Sequence, residues 1–489
     1  MEKTRSFMKL FLRAMLAVFG LAACTTDNIA AVPEVSVLPA NVILILVDDL
    51  GYCDSELYGC DDIPTPHIRS LAEDGTVFTA GYVTSPVCSP SRASLLTGRY
   101  QQRFGHEFLP EADPSGQSGL PIGESTLADA MRSTGYTTGM VGKWHLGEKD
   151  VFHPLNRGFD HFFGVLTSAT DYIDPTRADV KSASYSKKTH TFELSNPSDW
   201  RGRGKNFVAR GNVPVDEGDY ITDAFTREAR AFIRENKDAP FFLYLPYNAP
   251  HGPLQVTQEY YDRFPKMENE AKRIYAAMIS ALDDSIGAVL GVIEEQGLED
   301  NTLVILISDN GGGVAAHANN SPFRLGKHTL FEGGVRVPFV MKWPDHISAG
   351  GTYEHPVSTL DVFPTAVAAA RSTKTPTKEL DGVDLIPILQ NDDNPPPHEA
   401  LFWRNGANWA VREGDWKLIY AAERHWLYDL SSDIGEKYNV SDAHPDIIER
   451  LTIHYKEWNK GNIEPLWPPL AVKGQPRFAV DGVNIKWAL

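Results

Sequence analysis

Four stretches of the chain are almost wholly apolar, and each stops at a cluster of reactive polar residues. Asn41 to Val47 runs into Asp48-Asp49, and Thr137 to Val141 into Lys143-Trp144-His145. Phe241 to Leu245 leads to Asn248-Ala249-Pro250-His251, and Leu303 to Ile307 to Ser308-Asp309-Asn310-Gly311. Apolar runs bounded by turn residues suit strands of a parallel sheet covered on both faces. Helical periodicity fills the intervals, over Glu124 to Ser133, Ile221 to Asn236 and Asn269 to Gln296. The last places Ile274, Met278, Ala281, Ser285, Val289 and Ile293 on one stripe, with Gly297 as its stop. The alternation predicts an α/β fold with a large mixed, mostly parallel sheet. In such sheets ligands sit beyond the carboxyl ends of the strands, so acids, histidines and lysines from distant segments can form one site.

The pattern changes after about Thr365. A Pro- and Asp-rich stretch near Asn391 to Pro397 precedes short strand-like pieces at Ala407 to Arg412 and Trp416 to Tyr420. We read a main domain over 40–365 and a smaller α+β domain over 366–489. The end of that smaller domain, after Gly461, is rich in Pro and aromatics and is expected to pack as an extended tail. At the other end, Lys3, Arg5, Lys9 and Arg13 precede or interrupt an apolar stretch from Leu10 to Ala23 that is too short to span a bilayer usefully. It reads as a secretory signal over 1–23. Leu21-Ala22-Ala23-Cys24 resembles the bacterial lipoprotein box, which predicts a lipid anchor on Cys24, a tether over 24–39 and a location facing the periplasm or cell surface. An ordinary signal peptide that happens to carry a cysteine is the alternative.

Charge and cysteine content narrow the partners. A net charge of -18 without a basic stripe excludes a nucleic-acid partner. Four cysteines are too few for a disulfide scaffold. Cys53 and Cys60 are close enough to pair in an oxidising compartment, and two free thiols fit equally well.

The sharpest chemical signal is Cys88-Ser89-Pro90-Ser91-Arg92-Ala93-Ser94-Leu95-Leu96-Thr97-Gly98-Arg99. Ser89 suits a helix cap, Pro90 the first helical position and Gly98 the exit, which puts Cys88 at a helix N-terminus that favours an anion. A buried structural cysteine is the plainer alternative.

C-x-P-S-R followed by T-G-R resembles the signature of the type I, formylglycine-dependent sulfatases. The family's other blocks follow in order over about residues 40 to 440: Asp48-Asp49-Leu50-Gly51, Gly142-Lys143-Trp144-His145, Ala249-Pro250-His251-Gly252-Pro253, Ser308-Asp309-Asn310-Gly311, and Gly326-Lys327 leading to Glu332-Gly333-Gly334-Val335-Arg336-Val337-Pro338. The resemblance implies an alkaline phosphatase-like sandwich and oxidation of Cys88 to formylglycine by a formylglycine-generating enzyme. Asp48, Asp49, Asp309 and Asn310 offer hard oxygen donors suited to calcium or magnesium and poorly suited to zinc. The resemblance makes the ion calcium and puts Cys88 in the same metal set.

It also implies catalytic roles for Cys88, Arg92, Lys143, His145, His251 and Lys327. Arg92, Lys143 and Lys327 would neutralise sulfate oxygens. One hydroxyl of the hydrated aldehyde attacks sulfur, and deprotonation of the other expels sulfate. His145 matches the position that takes this second proton and His251 the one that protonates the leaving oxygen, although their exchange stays open.

Weaker features point to the substrate. Val411-Arg412-Glu413-Gly414-Asp415-Trp416-Lys417-Leu418 and Leu427-Tyr428-Asp429-Leu430 resemble the C-terminal domain of carbohydrate sulfatases, with the usual D-P-x-E replaced by Asp433-Ile434-Gly435-Glu436. Arg324, His328 and Arg404, with His317 and His425, are candidate sugar contacts. The expected function is hydrolysis of a sulfate ester on a carbohydrate such as ulvan or carrageenan. The rivals are a phosphonate monoester or phosphodiester hydrolase sharing the cysteine motif, and an inactive glycan-binding surface lipoprotein.

Overall fold

The computed structural model describes residues 39–113, 115–195, 208–372, 378–390, 396–470 and 477–489. The signal, the Cys24 anchor and nearly all of the tether lie outside them.

All four apolar runs are strands of one ten-stranded sheet. Its order is Gly351–Tyr353, Thr76–Phe78, Phe339–Lys342, Thr302–Ser308, Asn41–Val47, Phe241–Pro246, Thr137–Lys143, His161–Val165, Ala209–Arg210 and Val213–Pro214. The five strands from Thr302–Ser308 to His161–Val165 are mutually parallel, and antiparallel pairs flank them on both sides.

Alternation along each central strand explains why the runs are apolar throughout. Val42, Leu44 and Leu46 enter one core while Ile43, Ile45 and Val47 enter the other. Phe242 and Tyr244 part from Phe241, Leu243 and Leu245 in the same way. The long helices Ile221–Glu235 and Glu270–Glu295 cover one face, and all six predicted stripe residues of the second are buried. Helices Cys88–Thr97, Leu127–Arg132 and Val362–Ala369 cover the other. Each large apolar side chain so enclosed contributes about 1.5–3 kcal/mol.

The helix expected from Glu124 is shorter, Leu127–Arg132. Thr126 and Asp129 form a capping box at its start. Glu124 lies outside it, paired with Arg99 and Lys378.

The C-terminal part is an antiparallel sheet of Ala400–Asn405, Asn408–Glu413, Trp416–Ala421 and Arg424–Asp429, backed by helix Pro445–Asn459. Trp403, Ala410, Ile419 and Tyr428 join the main core, whereas Val411, Leu418 and Leu427 meet Tyr455 and Trp458 of the helix. The tail packs against the fold, but its end is a hairpin of Arg477–Val480 and Val483–Lys486 and not the extended segment expected: Trp487 is fully buried, and Asn405 and Asn408 donate to the carbonyls of Ala488 and Lys486. Cys53 and Cys60 form a disulfide.

Candidate active site

Cys88 opens the helix Cys88–Thr97, which is buried along its whole length. Its N-cap is Val87, which makes no side-chain cap, so the expected cap at Ser89 is corrected. Ser89 lies inside the first turn, where its hydroxyl donates to the His145 carbonyl at 2.7 Å and meets His106 Nε2 at 2.7 Å. Pro90 still falls in the turn that needs no intrahelical N–H. Gly98 closes the helix in the left-handed region at φ 64°.

Lys327 Nζ donates to Cys88 Sγ at 3.1 Å, and Asp48 Oδ1 lies 3.7 Å from the sulfur. Burial pushes the thiol up to about 12 against the pull of Lys327 and Lys143. Unmodified Cys88 is therefore a protonated, poor nucleophile at neutral pH.

The strand ends supply the charges around it. Asp48 follows Asn41–Val47 and is fully buried, with Lys143 Nζ on its Oδ2 and Arg92 3.4 Å away. Burial opposes its ionisation, but Lys143, His251, Arg92 and Lys327 hold its carboxyl well below the usual range. Asp49, in the left-handed region at φ 67°, accepts from Lys327 at 2.6 and 2.8 Å and from Asn310 Nδ2 at 2.7 Å. Asp309 receives Arg92 Nε at 2.9 Å, and burial and then Asp48 push it up to about 6. Gly311 permits the Gly333 carbonyl to approach, since a Cβ there would lie 1.8 Å from that oxygen. That approach draws the Ser308–Gly311 block against the one that runs from Gly326 to Pro338.

A hard divalent cation fits this set. Ligand atoms of Asp48, Asp49, Cys88 and His251 lie within 4.8 Å of one another, and Asn310 Oδ1 is buried with no partner among the described residues. The two carboxylates and the Asn310 amide are the hard oxygen donors that calcium takes, whereas the thiol and the imidazole are not.

The two histidines are held by different partners. His251 commits Nδ1 to the Gly252 carbonyl at 2.6 Å and turns Nε2 toward Asp49, 3.8 Å away. Burial and then Lys327 push it down to about 4. His145, at φ 57°, is almost fully buried, and burial also lowers it. Its Nε2 meets Glu111, which the sequence does not reveal because Glu111 sits in the single 3-10 turn Pro110–Ala112 of a Pro- and acid-rich stretch, 34 positions away.

The expected catalytic and metal residues thus converge, and the sugar candidates scatter. Arg404 is committed to Glu107, Asn459 and the Ile463 carbonyl. Arg324 spends its guanidinium on the Glu436 carbonyl and Asp481. His425 lies beside Trp409 and Tyr420 in the C-terminal sheet. His328 borders the site through Lys327, and burial and then Lys327 push it down to about 3. His317 is 3.4 Å from Thr191 of the hairpin Val180–Ser186 and Thr191–Leu194. That hairpin pairs with Leu254–Thr257, just after His251. Gly252 lets the Phe192 ring of the hairpin pack against it, since a Cβ there would lie 2.5 Å from the ring tip and displace it.

Comparison with known proteins places this geometry. The sulfatase family model matches residues 40–372, and the N-sulphoglucosamine sulphohydrolase C-terminal model matches residues 324–459. N-acetylgalactosamine-6-sulfatase of Mus musculus is 32% identical over 97% of this chain and 93% of its own length. Arylsulfatase A of Homo sapiens is 32% identical over 84% of this chain and 86% of its own. The crystal structure of Ps i-CgsB in complex with k-i-k-neocarrahexaose superposes with a TM-score of 0.78 at 34% identity, covering 88% of this chain and 94% of that one.

Proposed function

The chain belongs to the sulfatase family and is a sulfuric ester hydrolase, and from that premise we propose that it removes sulfate from a carbohydrate with a nucleophile made from Cys88. The observation that carries this reading is the buried Cys88 thiol, unreactive as it stands, held between Lys327 and Asp48 at the focus of the strand ends. Oxidation to formylglycine by a formylglycine-generating enzyme would supply, as the hydrate, one hydroxyl to attack sulfur and a second to release sulfate.

Asp48, Asp49, Asp309 and Asn310 would hold a calcium ion, a Lewis acid toward the sulfate oxygens. The chain's own three cations there, Arg92, Lys143 and Lys327, balance its three carboxylates. A divalent ion then gives the pocket the surplus positive charge that an anionic ester completes. His145 serves as the base and His251 as the proton donor to the leaving oxygen. The charge of a bound sulfate raises the proton affinity that burial has lowered in His251.

The rim supports a carbohydrate. The tip of the hairpin beside His251 exposes Tyr185, Lys187, Lys188 and His190, and among the described residues neither lysine meets a carboxylate. In a protein of net charge -18 this is a local attractor for a sulfated chain. Ps i-CgsB, whose complex holds a carrageenan hexaose, and the N-acetylgalactosamine-6-sulfatases agree with that substrate class. His317 and His328 remain the sugar contacts we favour, since the donors of Arg404 and Arg324 are already engaged.

The test measures sulfate release from carrageenan, ulvan and glycosaminoglycan oligosaccharides beside an aryl sulfate and a phosphodiester. A glycan should be turned over with the highest kcat/KM. The charge-reversing pair Lys187→Glu and Lys188→Glu should raise KM for the glycan alone. Preference for the aryl sulfate over every glycan would overturn the carbohydrate assignment, and preference for the phosphodiester would favour the rival chemistry. Export as a lipoprotein through Cys24 is proposed with it. Detergent partitioning that is unchanged in Cys24→Ser would overturn the anchor.

A further inference from the structure

We infer that Glu111 is a positioning residue for His145: its carboxylate fixes the Nε2–H tautomer and leaves Nδ1 as the basic nitrogen. The inference deepens the reading of His145 as the base and rests on it.

The geometry is specific. Glu111 Oε1 and Oε2 lie 3.0 and 3.2 Å from His145 Nε2. Nδ1 is buried and has no partner among the described residues. The backbone of His145 is pinned as well, since its carbonyl accepts from Ser89, the neighbour of Cys88. A neutral imidazole has one N–H and one lone pair, and the group bonded to one nitrogen decides which is which. A carboxylate can only accept, so the hydrogen belongs on Nε2 and the lone pair on Nδ1.

Other charges near His145 oppose protonation. Lys143 on its own strand and Arg92 from the Cys88 helix lower its proton affinity, and burial lowers it most. His106, which shares Ser89 with it, is pushed down to about 3 by burial and then by His145, so it stays neutral beside the pair. Against burial, Lys143 and Arg92, Glu111 favours the charged ring both by its charge and by its hydrogen bond. When Nδ1 takes a proton, positive charge appears on a ring that already faces a carboxylate. Ser168 also helps keep Glu111 ionised, and Glu148 is a further acid that feels its charge.

An ion pair whose acid side chain is 32% exposed adds little stability by itself. The role must therefore appear in kinetics rather than in Tm. Glu111→Gln should lower kcat for an aryl sulfate by about 10- to 100-fold with KM little changed. The acidic limb of its kcat–pH profile should move to lower pH, because the ring has lost the group that favours its charge. Glu111→Asp should recover part of kcat, and Tm should stay near wild type in both.

A second readout does not depend on turnover. In protein labelled with nitrogen-15 histidine, with the His145 signals assigned through His145→Gln, wild type should show an unprotonated Nδ1 and a protonated Nε2. Glu111→Gln should mix the two tautomers. An unprotonated Nε2 in wild type would overturn the inference. So would a kcat that is unchanged or raised in Glu111→Gln, which would mean that the carboxylate only occupies space meant for substrate. If wild type releases no sulfate from any ester, the reading of the site fails, while the tautomer measurement still decides the role of Glu111.

Discussion

Two clusters of buried charge lie in this fold, and they are finished to different degrees. Where the C-terminal sheet meets the main sheet, Lys417 Nζ joins Glu332 at 2.7 Å and Glu436 at 2.9 Å, with all three side chains fully buried. Arg336 adds a second cation to Glu332 at 3.2 Å, and Tyr82 donates to Glu332 while receiving Arg412. Glu436 also accepts the Glu332 N–H at 2.6 Å. Each carboxylate there has its cation: even Glu436 Oε1, which makes no hydrogen bond among the described residues, lies 2.9 Å from the Lys417 ammonium. At the strand ends the charges are as deeply buried, yet Asn310 Oδ1 and His145 Nδ1 are left without partners among the described residues. A buried polar atom left unpaired costs roughly 1–3 kcal/mol. Burial and ion pairing are common to both clusters, so what separates a site from a strut is the bonding left open for something to complete.

Breaking the open cluster should cost function and leave the fold. Cys88→Ala should lose turnover by roughly 10³-fold or more, because the nucleophile acts as one unit with its supporting groups. Its Tm should stay near wild type, since the residue forms no strong bond. Peptide mass spectrometry of the active wild type should show formylglycine at this position. Unmodified Cys88 in fully active protein would end that mechanism.

Removing divalent ions is the next largest effect. Exhaustive chelation should abolish activity, calcium should restore it better than zinc, and Asp309→Ala should resemble the stripped protein. Chelation should also lower Tm, because an ion held only by the folded state stabilises it. A chelation effect on Tm that survives in Asp309→Ala would place the ion elsewhere.

Breaking the closed cluster should do the reverse. Lys417→Met leaves two buried carboxylates short of their shared cation and should cost about 3–5 kcal/mol of stability. Turnover per folded molecule should not change. Denaturant unfolding beside active-site titration checks both, and a variant of normal stability with lost turnover would erase the distinction drawn here.

Legibility in the sequence followed the same division. The central strands could be read because both faces are buried and nearly every residue is apolar. The open cluster could be read because its residues stand directly after those strands, in blocks that resemble a family. Local capping was misread where a tertiary partner won: Ser89 bonds the His145 carbonyl instead of capping, and Glu124 pairs with Arg99 instead of starting a helix. Glu111 carried no periodicity or spacing that ties it to His145. Arg404 and Arg324 looked free because a sequence does not show which carboxylates and carbonyls will claim them. The left-handed backbone of Asp49 and His145 was equally invisible, since strain of this kind is imposed by the assembled site.

The smallest effect concerns pH, and it tests how closed the closed cluster is. Glu436 is pushed up from 4.5 to about 7: burial is the main cause, Glu332 adds to it and Lys417 opposes it. Glu332 is instead held down at about 2, since Lys417, Arg336 and Arg412 outweigh its burial. A raised carboxyl keeps its proton in the folded state after the unfolded chain has released it. Stability from Glu436 should then be fullest below 4.5 and fall as pH rises toward 7, by at most about 1.4 kcal/mol per pH unit for one proton. The depressed Glu332 acts in the opposite sense, and its contribution is lost only as pH falls from 4.5 toward 2. Glu436→Gln keeps an oxygen for the Glu332 N–H and removes the titration, so Lys417 is left to Glu332 alone. Between about pH 5 and about pH 7 the variant should lose less stability than wild type, as read from unfolding midpoints across that window. Parallel profiles would mean that Glu436 is ionised throughout. The junction would then hold its charges in full balance, and its difference from the active site would rest on unpaired atoms alone.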